Sequence, residues 1–282
     1  LFDGVIVTNP AVILIGIGLI IVGLGFKVSA APFHTWAPDV YQGAPAGVTG
    51  YMAAMAKIAG FAAIARILLT GLIDFDENWL PVLAVVATVS MVVGAVVALV
   101  QSDVRRLLAY SGVAHAGFIM TGIIGGATQG MLFYVTVYAI QLVGAFAIVA
   151  VVSGSDSSTS HIDAYRGLSK RSPALATGFA VLLLGMAGLP LTSGFVAKFG
   201  VFTEAWAGGY EWLVIVALLM SVVTFGFYLR VIVVMFMDDP AGEPVFVARP
   251  LRWAIGLAVA GTILIGVLPE PLLNMAANAF SL

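Results

Sequence analysis

The sequence has no cysteine. Disulfides, thiolate-bound iron–sulfur clusters and cysteine nucleophiles are therefore excluded, and any redox chemistry must belong to another chain. Charge is scarce too. Charged residues make up 9% of the 282 residues, against about 25% in a soluble domain. Apolar residues reach 61% and the mean hydropathy is +1.11. A chain of this kind is an integral membrane protein. Its formal charge of −2 is too small to name a partner. There is no GxxxxGK[ST] phosphate loop, and no dinucleotide fingerprint stands between a strand and a helix. The three histidines, His34, His115 and His161, fall on different elements without metal-ligand spacing. Residue 1 is Leu, and no basic segment of a signal peptide follows it. The expectation is the later part of a longer protein, or a chain whose earlier part is missing.

Lysine is rare as well, and its placement is informative. Of four lysines, Lys27, Lys57 and Lys198 lie inside long apolar runs. A lysine at the centre of a membrane helix costs about 2.5–3.5 kcal/mol on insertion scales. One such residue can snorkel to the interface, which suits Lys27 better than the two deeper ones. Three together point to a buried pathway for charge. An exposed lysine, with a pKa of about 10.4, keeps its proton near neutral pH. Desolvation disfavours the charged form of an amine, and a group poised in that way can load and unload a proton.

Eight segments are long enough to span a bilayer, near 11–30, 47–70, 79–101, 107–125, 129–153, 173–207, 212–236 and 251–268. The expected fold is an all-α polytopic membrane helix bundle. The sixth segment is too long for one straight span and contains Gly188-Leu-Pro190-Leu-Thr-Ser-Gly194, so a broken helix is expected there. The first span ends in Ser29-Ala-Ala-Pro32. Irregular backbone at membrane depth needs burial in protein or a wet cavity. Loops on one side carry Arg105, Arg106, Arg166, Lys170, Arg171, Arg249 and Arg252, with Arg230 just inside. The other side has Arg66 with Asp74, Asp76, Glu77, Glu211 and Glu270. The positive-inside rule places the basic loops in the cytoplasm and both chain ends outside. The longest loop, 154–172, reads as a Ser-rich connector.

Other polar residues fall within the spans. His115 sits mid-span; alone it reads as a core histidine, but beside buried lysines an imidazole that titrates near neutrality becomes a relay candidate. Tyr134, Tyr138 and Gln141 recur at i, i+4 and i+7 and share a helix face. Their stripe lines a water wire or glues helices together, and the spacing leaves both open. Thr192 and Ser193 are expected to pair freed backbone groups at the break, ahead of holding water beside Lys198. Arg66 reads as an interface anchor. Asp103-Val-Arg-Arg106 reads as a topology signal, with Asp103 placed to start a helix.

Three long stretches carry a family resemblance. Gly25-Phe-Lys27-Val-Ser-Ala-Ala-Pro-Phe-His34-Thr-Trp36-Ala-Pro-Asp39-Val-Tyr41-Gln-Gly-Ala-Pro45 is the first, and Ser102-Asp-Val-Arg-Arg-Leu-Leu-Ala-Tyr-Ser111 with His115 is the second. The third runs from Asp163-Ala-Tyr-Arg-Gly-Leu-Ser-Lys-Arg-Ser-Pro173 to Gly188-Leu-Pro-Leu-Thr-Ser-Gly-Phe-Val-Ala-Lys198. The chain resembles the antiporter-like membrane subunits of respiratory complex I. The Pro38-Asp-Val-Tyr-Gln-Gly-Ala-Pro45 wording, and a lysine rather than a glutamate at 198, resemble the N-type branch of that family.

The resemblance implies a fourteen-helix fold of two inverted repeats, each with a broken helix bearing a key lysine or glutamate. Residues 1–78 would hold the last two helices of the first repeat. The second repeat would run over 79–250, with its broken helix near 188–194, and 251–282 would be a final helix and tail. Lys27 and Lys198 would be the lysines of the two broken helices, Lys57 the central lysine and His115 a member of the axis between them. About six helices would precede this segment, one of them carrying the glutamate that pairs with Lys27. The implied activity is redox-free proton translocation as a subunit of an NADH-quinone oxidoreductase. NADH, FMN, iron–sulfur clusters and quinone would reside in partner subunits, with no cofactor in this chain. The expected partners are membrane-arm subunits on both flanks, the lipid bilayer and the transported protons, with no nucleic acid; the expected location is the bacterial plasma membrane. A Mrp-type cation/proton antiporter subunit and a non-pumping structural subunit are the alternatives.

Overall fold

In lipid a backbone N–H or C=O has no water to pair with, so apolar runs of this length close their hydrogen bonds internally as helices. The computed structural model describes residues 10–126, 128–153, 160–240 and 245–279. Twelve α-helices occur among them: α1 (Pro10–Lys27), α2 (Trp36–Gly43), α3 (Ala46–Arg66), α4 (Asp76–Leu99), α5 (Val104–Ile124), α6 (Thr128–Ser153), α7 (Leu168–Arg171), α8 (Pro173–Ala187), α9 (Ser193–Ala207), α10 (Glu211–Met237), α11 (Arg249–Val267) and α12 (Glu270–Asn278). A π-helical turn, Ile67–Gly71, extends α3. Six helical stretches are long and apolar enough to cross a membrane, and α1 and α8 are shorter apolar helices.

The bundle is built around α5, which is buried along nearly its whole length. It packs against α4, α6, α9 and α2, with α10 alongside. The α4–α5 contact is close because Gly94 carries no side chain; a Cβ there would lie 2.8 Å from the Tyr110 carbonyl oxygen. Small residues allow this close approach where no hydrophobic force separates protein from lipid.

The breaks fall near the expected places, with one difference. At the break expected around Ser29–Pro32, the first segment stops as a helix at Lys27, turns through 28–35, and resumes as α2, a helix the sequence does not announce. Asp39 and Pro38 fit the first turn of α2, where a proline costs no hydrogen bond. In the long sixth segment α8 ends at Ala187 and α9 begins at Ser193, as the Gly-Pro pattern requires.

Asp103 caps α5, its carboxylate accepting from the Arg106 N–H at 3.0 Å. Arg105, expected as a sidedness marker, has a structural role. It is 3% exposed and donates to the carbonyls of Gln42 and Ala44 at 3.2 and 3.3 Å, where α2 leaves acceptors free. Arg106 pairs with Asp39 at 2.6 Å. The two arginines clamp α2 onto the start of α5. The 154–172 connector is only partly described, since 154–159 lie outside the described residues. The rest is folded rather than a plain loop, with Ile162, Tyr165 and Leu168 buried and Tyr165 against Phe179.

Candidate functional site

At the first break α1 ends, and its last carbonyls lose their helical partners. Ser29 takes a left-handed φ of 60°, and the Ala31 N–H donates to Ser90 Oγ of α4 at 2.9 Å. The Val28 carbonyl is taken by Lys57, from the middle of α3: its Nζ donates to Val28 O at 2.8 Å and to Gly112 O of α5 at 2.9 Å. Lys57 is 2% exposed. Lys27 is placed differently. It ends α1, is exposed, and rests its stem against α3 at Gly60, where a Cβ would lie 3.6 Å from Lys27 Cγ. Of the four expected relay residues it alone stands outside the buried line.

The second break has a matching feature. Gly188 takes φ +90° and Leu191 φ +71°. The freed Ala187 carbonyl accepts from Lys198 Nζ at 2.9 Å, and the same nitrogen reaches Ser221 Oγ of α10 at 3.3 Å. Thr192 Oγ1 donates to Leu189 O at 2.6 Å, which is the backbone-pairing role expected of it. Ser193 Oγ instead accepts from Gln141 Nε2 at 3.2 Å. The polar stripe of α6 thus splits, with Gln141 serving the break while Tyr134 and Tyr138 reach His115.

His115 lies on α5 between the two lysine sites and is 1% exposed. Its Nδ1 is 3.0 Å from the Tyr134 hydroxyl and its Nε2 3.3 Å from the Tyr228 hydroxyl. The ring stacks on Tyr138 with centroids 4.2 Å apart. Tyr228 also hydrogen-bonds Ser111, the residue before Gly112, whose carbonyl holds Lys57. On the other side Phe118 meets the His115 ring edge-on at 5.7 Å, and Lys198 Nζ lies 4.6 Å from the Phe118 centroid. The order through the bundle is Lys57, the Ser111–Tyr228–His115 group, Phe118, then Lys198.

This arrangement suits proton movement. An ammonium has three donors, and each lysine spends two of them on the hydrogen bonds above. A neutral amine keeps two donors and gains a lone pair, so either lysine can lose a proton and retain both bonds. The phenols around His115 donate and accept equally well, which lets a proton pass through them in either direction. Among the described residues, no three His, Cys, Asp or Glu side chains gather as a metal site would require.

Tyr228, Ser221 and Phe118 belong to this line and are missed by the sequence reading. In an apolar span Tyr and Phe count as ordinary hydrophobic residues. The one available signal is a tyrosine hydroxyl at mid-span, which needs a buried partner.

Residues 4–224 match the family model for the transmembrane region of NADH:quinone oxidoreductase and Mrp antiporters. A relative from Parafrankia sp. (strain EAN1pec), named NADH-quinone oxidoreductase subunit N, is 47% identical over 272 residues, covering 94% of this chain and 51% of its own length. The chain therefore spans about half the length of the curated relatives it matches. Among solved structures, respiratory complex I from Thermus thermophilus with bound aureothin holds a chain matched at TM-score 0.83 and 35% identity, over 93% of this chain and 58% of that one. A chain of the Mrp complex from Dietzia sp. DQ12-45-1b shares the fold at TM-score 0.84 and 21% identity, over 96% of this chain and 59% of that one. With its helices, its two breaks and its buried lysines in place, this chain belongs to the NADH:quinone oxidoreductase/Mrp antiporter transmembrane family.

Proposed function

We propose that this chain is part of an N-type, proton-translocating membrane subunit of an NADH-quinone oxidoreductase. Protons pass through Lys57, the His115 group and Lys198, while the redox chemistry takes place in other subunits. The observation that carries this reading is the line of buried lysines and histidine around α5, each lysine holding a carbonyl at or beside a helix break. Lys27 feeds that line from the exposed face of α1. Moving one charge against the membrane potential costs about 2.3 kcal/mol per 100 mV. The drive is electrostatic: quinone reduction elsewhere shifts charge at the subunit boundary, and the change in field moves a proton from one lysine to the next.

In this reading residues 1–78 close a first inverted repeat, 79–250 form the second, and 251–282 add a final helix and tail. Eight spans cross the bacterial plasma membrane, with the basic loops in the cytoplasm and both chain ends outside. Membrane-arm subunits flank the chain on both sides, and NADH, FMN, iron–sulfur clusters and quinone belong to other subunits of the complex.

The second reading, a Mrp-type cation/proton antiporter subunit, draws on the family model, which covers both kinds of protein. The test is NADH-driven acidification of inverted membrane vesicles, with and without Na⁺, for wild type, Lys57→Ala and Lys198→Ala in the full-length protein within the assembled complex. Na⁺-independent acidification in wild type and its decrease in both variants is the expected result. Acidification that requires Na⁺ favours the antiporter, and normal acidification in both variants removes the relay.

A further inference from the structure

The exit from Lys198 is not accounted for by the residues above, and a carboxyl group on the same helix lies beyond it. We propose that Glu204 receives the proton leaving Lys198 and hands it to the side of the membrane opposite the basic loops. The proposal rests on the relay reading of Lys198. Glu204 follows Lys198 by six residues on α9, which is about 9 Å further along the axis at 1.5 Å per residue. It lies one turn from the end of that helix. Its Oε2 is buried and has no hydrogen-bond partner among the described residues. The residue as a whole is only partly buried. One oxygen thus faces the interior while the group still communicates with the surface, the placement an outlet requires.

The opposite wall is shaped to admit this carboxyl group. Gly130, in the first turn of α6, faces it; a Cβ there would sit 2.5 Å from Oε2 and 3.1 Å from Oε1. Any side chain at 130 would push the carboxyl group out. Gly130 lies in the first turn of α6, and the N-terminal end of a helix favours a negatively charged neighbour. A carboxylate at membrane depth without a cation is costly. A purely structural role would call for a partner, and the enclosed oxygen has none among the described residues.

The transfer is simple in its balance. The Lys198 ammonium gives one proton through intervening water to the Glu204 carboxylate, leaving a neutral amine and a carboxylic acid. The acid then releases that proton to the outer solvent and returns to carboxylate, and the amine is reloaded from the His115 side. No electron moves and no bond other than O–H and N–H changes.

The test uses the full-length protein in its assembled complex, in inverted vesicles with NADH as fuel, over a range of pH. Glu204→Gln keeps the shape and removes the titration. Positioned proton transfer contributes about 100-fold or more where it is rate-limiting, so acidification slows by at least about tenfold and its pH profile changes shape. Glu204→Asp restores part of the rate. Gly130→Ala keeps every titratable group and displaces the carboxyl group, so it slows acidification as well. Wild-type rate and pH profile in Glu204→Gln, under conditions where Lys198→Ala is slowed, overturn the outlet and leave the lysine relay standing. If Glu204→Gln fails to assemble, Gly130→Ala decides: normal acidification in that variant makes the carboxyl group structural and overturns the proposal. Normal acidification in Lys198→Ala removes the relay itself, which is a separate failure.

Discussion

At the first break the freed Val28 carbonyl is taken by Lys57, which comes from the following helix and also holds Gly112 on α5. At the second, the freed Ala187 carbonyl is taken by Lys198, from the second half of the same broken helix, with Ser221 of α10 as its other partner. The first break has one left-handed residue, Ser29, and the second has two, Gly188 and Leu191. The remaining backbone groups are also met differently: Ser90 Oγ of α4 accepts from the Ala31 N–H at the first break, while at the second Thr192 Oγ1 donates locally to the Leu189 carbonyl. A break at membrane depth can thus be closed from a neighbouring helix or from within. In both cases the closing group is a lysine that can give up one proton and keep its hydrogen bonds. In the proposed relay, stability and transport therefore share atoms, and variants at the breaks can separate them.

The largest effect on that comparison comes from Gly188→Ala. A left-handed conformation costs an ordinary residue about 1–2 kcal/mol, and the new Cβ would lie 2.9 Å from Lys198 Cδ. The variant should lower the thermal midpoint of the detergent-solubilised complex and slow proton transfer, because the added methyl group displaces the lysine. A midpoint and a rate both equal to wild type would mean that the second break tolerates repacking. Next comes Ser90→Ala, which strands the buried Ala31 N–H. An orphaned buried donor costs about 1–3 kcal/mol, so stability should fall while Lys198, on the other side of the bundle, continues to function. Thermal denaturation alongside vesicle acidification checks both halves of that statement. The smallest change is expected for Ser29→Gly. Relief of the left-handed serine and the added flexibility of glycine, each about 1 kcal/mol, oppose one another, so the midpoint should stay near wild type. A pronounced loss there would show that the Ser29 side chain, and not its backbone, holds the first break.

Much of this architecture is legible in the sequence because lipid simplifies the rules. Helices must be apolar and long, and Gly188 with Pro190 can only interrupt one. Asp103 before an apolar run is a helix cap on sight. The residues that escape notice do so for definite reasons. Helix α2 is eight residues long and polar enough to read as a loop; tertiary support from Arg105 and Arg106 makes it a helix. Arg105 looks like a sidedness marker because its acceptors, the carbonyls of Gln42 and Ala44, are some sixty positions away in sequence. Tyr228 and Phe118 enter the line only through packing against α5, which no spacing within their own helices encodes. Glu204 is a lone carboxyl group near the end of an apolar run, and its unpaired oxygen becomes visible only when α9 is set against α6. Lys27 is plain in the sequence and stands apart from the buried line in the structure, for it lies on the outer face of α1.

The most direct test of the central claim is the number of protons translocated per NADH oxidised by assembled complexes carrying Lys198→Ala, with oxidation and acidification followed in the same vesicles. This ratio should fall if Lys198 is in the relay, because one buried path then no longer conducts while electrons can still reach quinone. An unchanged ratio at an unchanged rate would contradict it, since the lysine would then be a cap for Ala187 and nothing more.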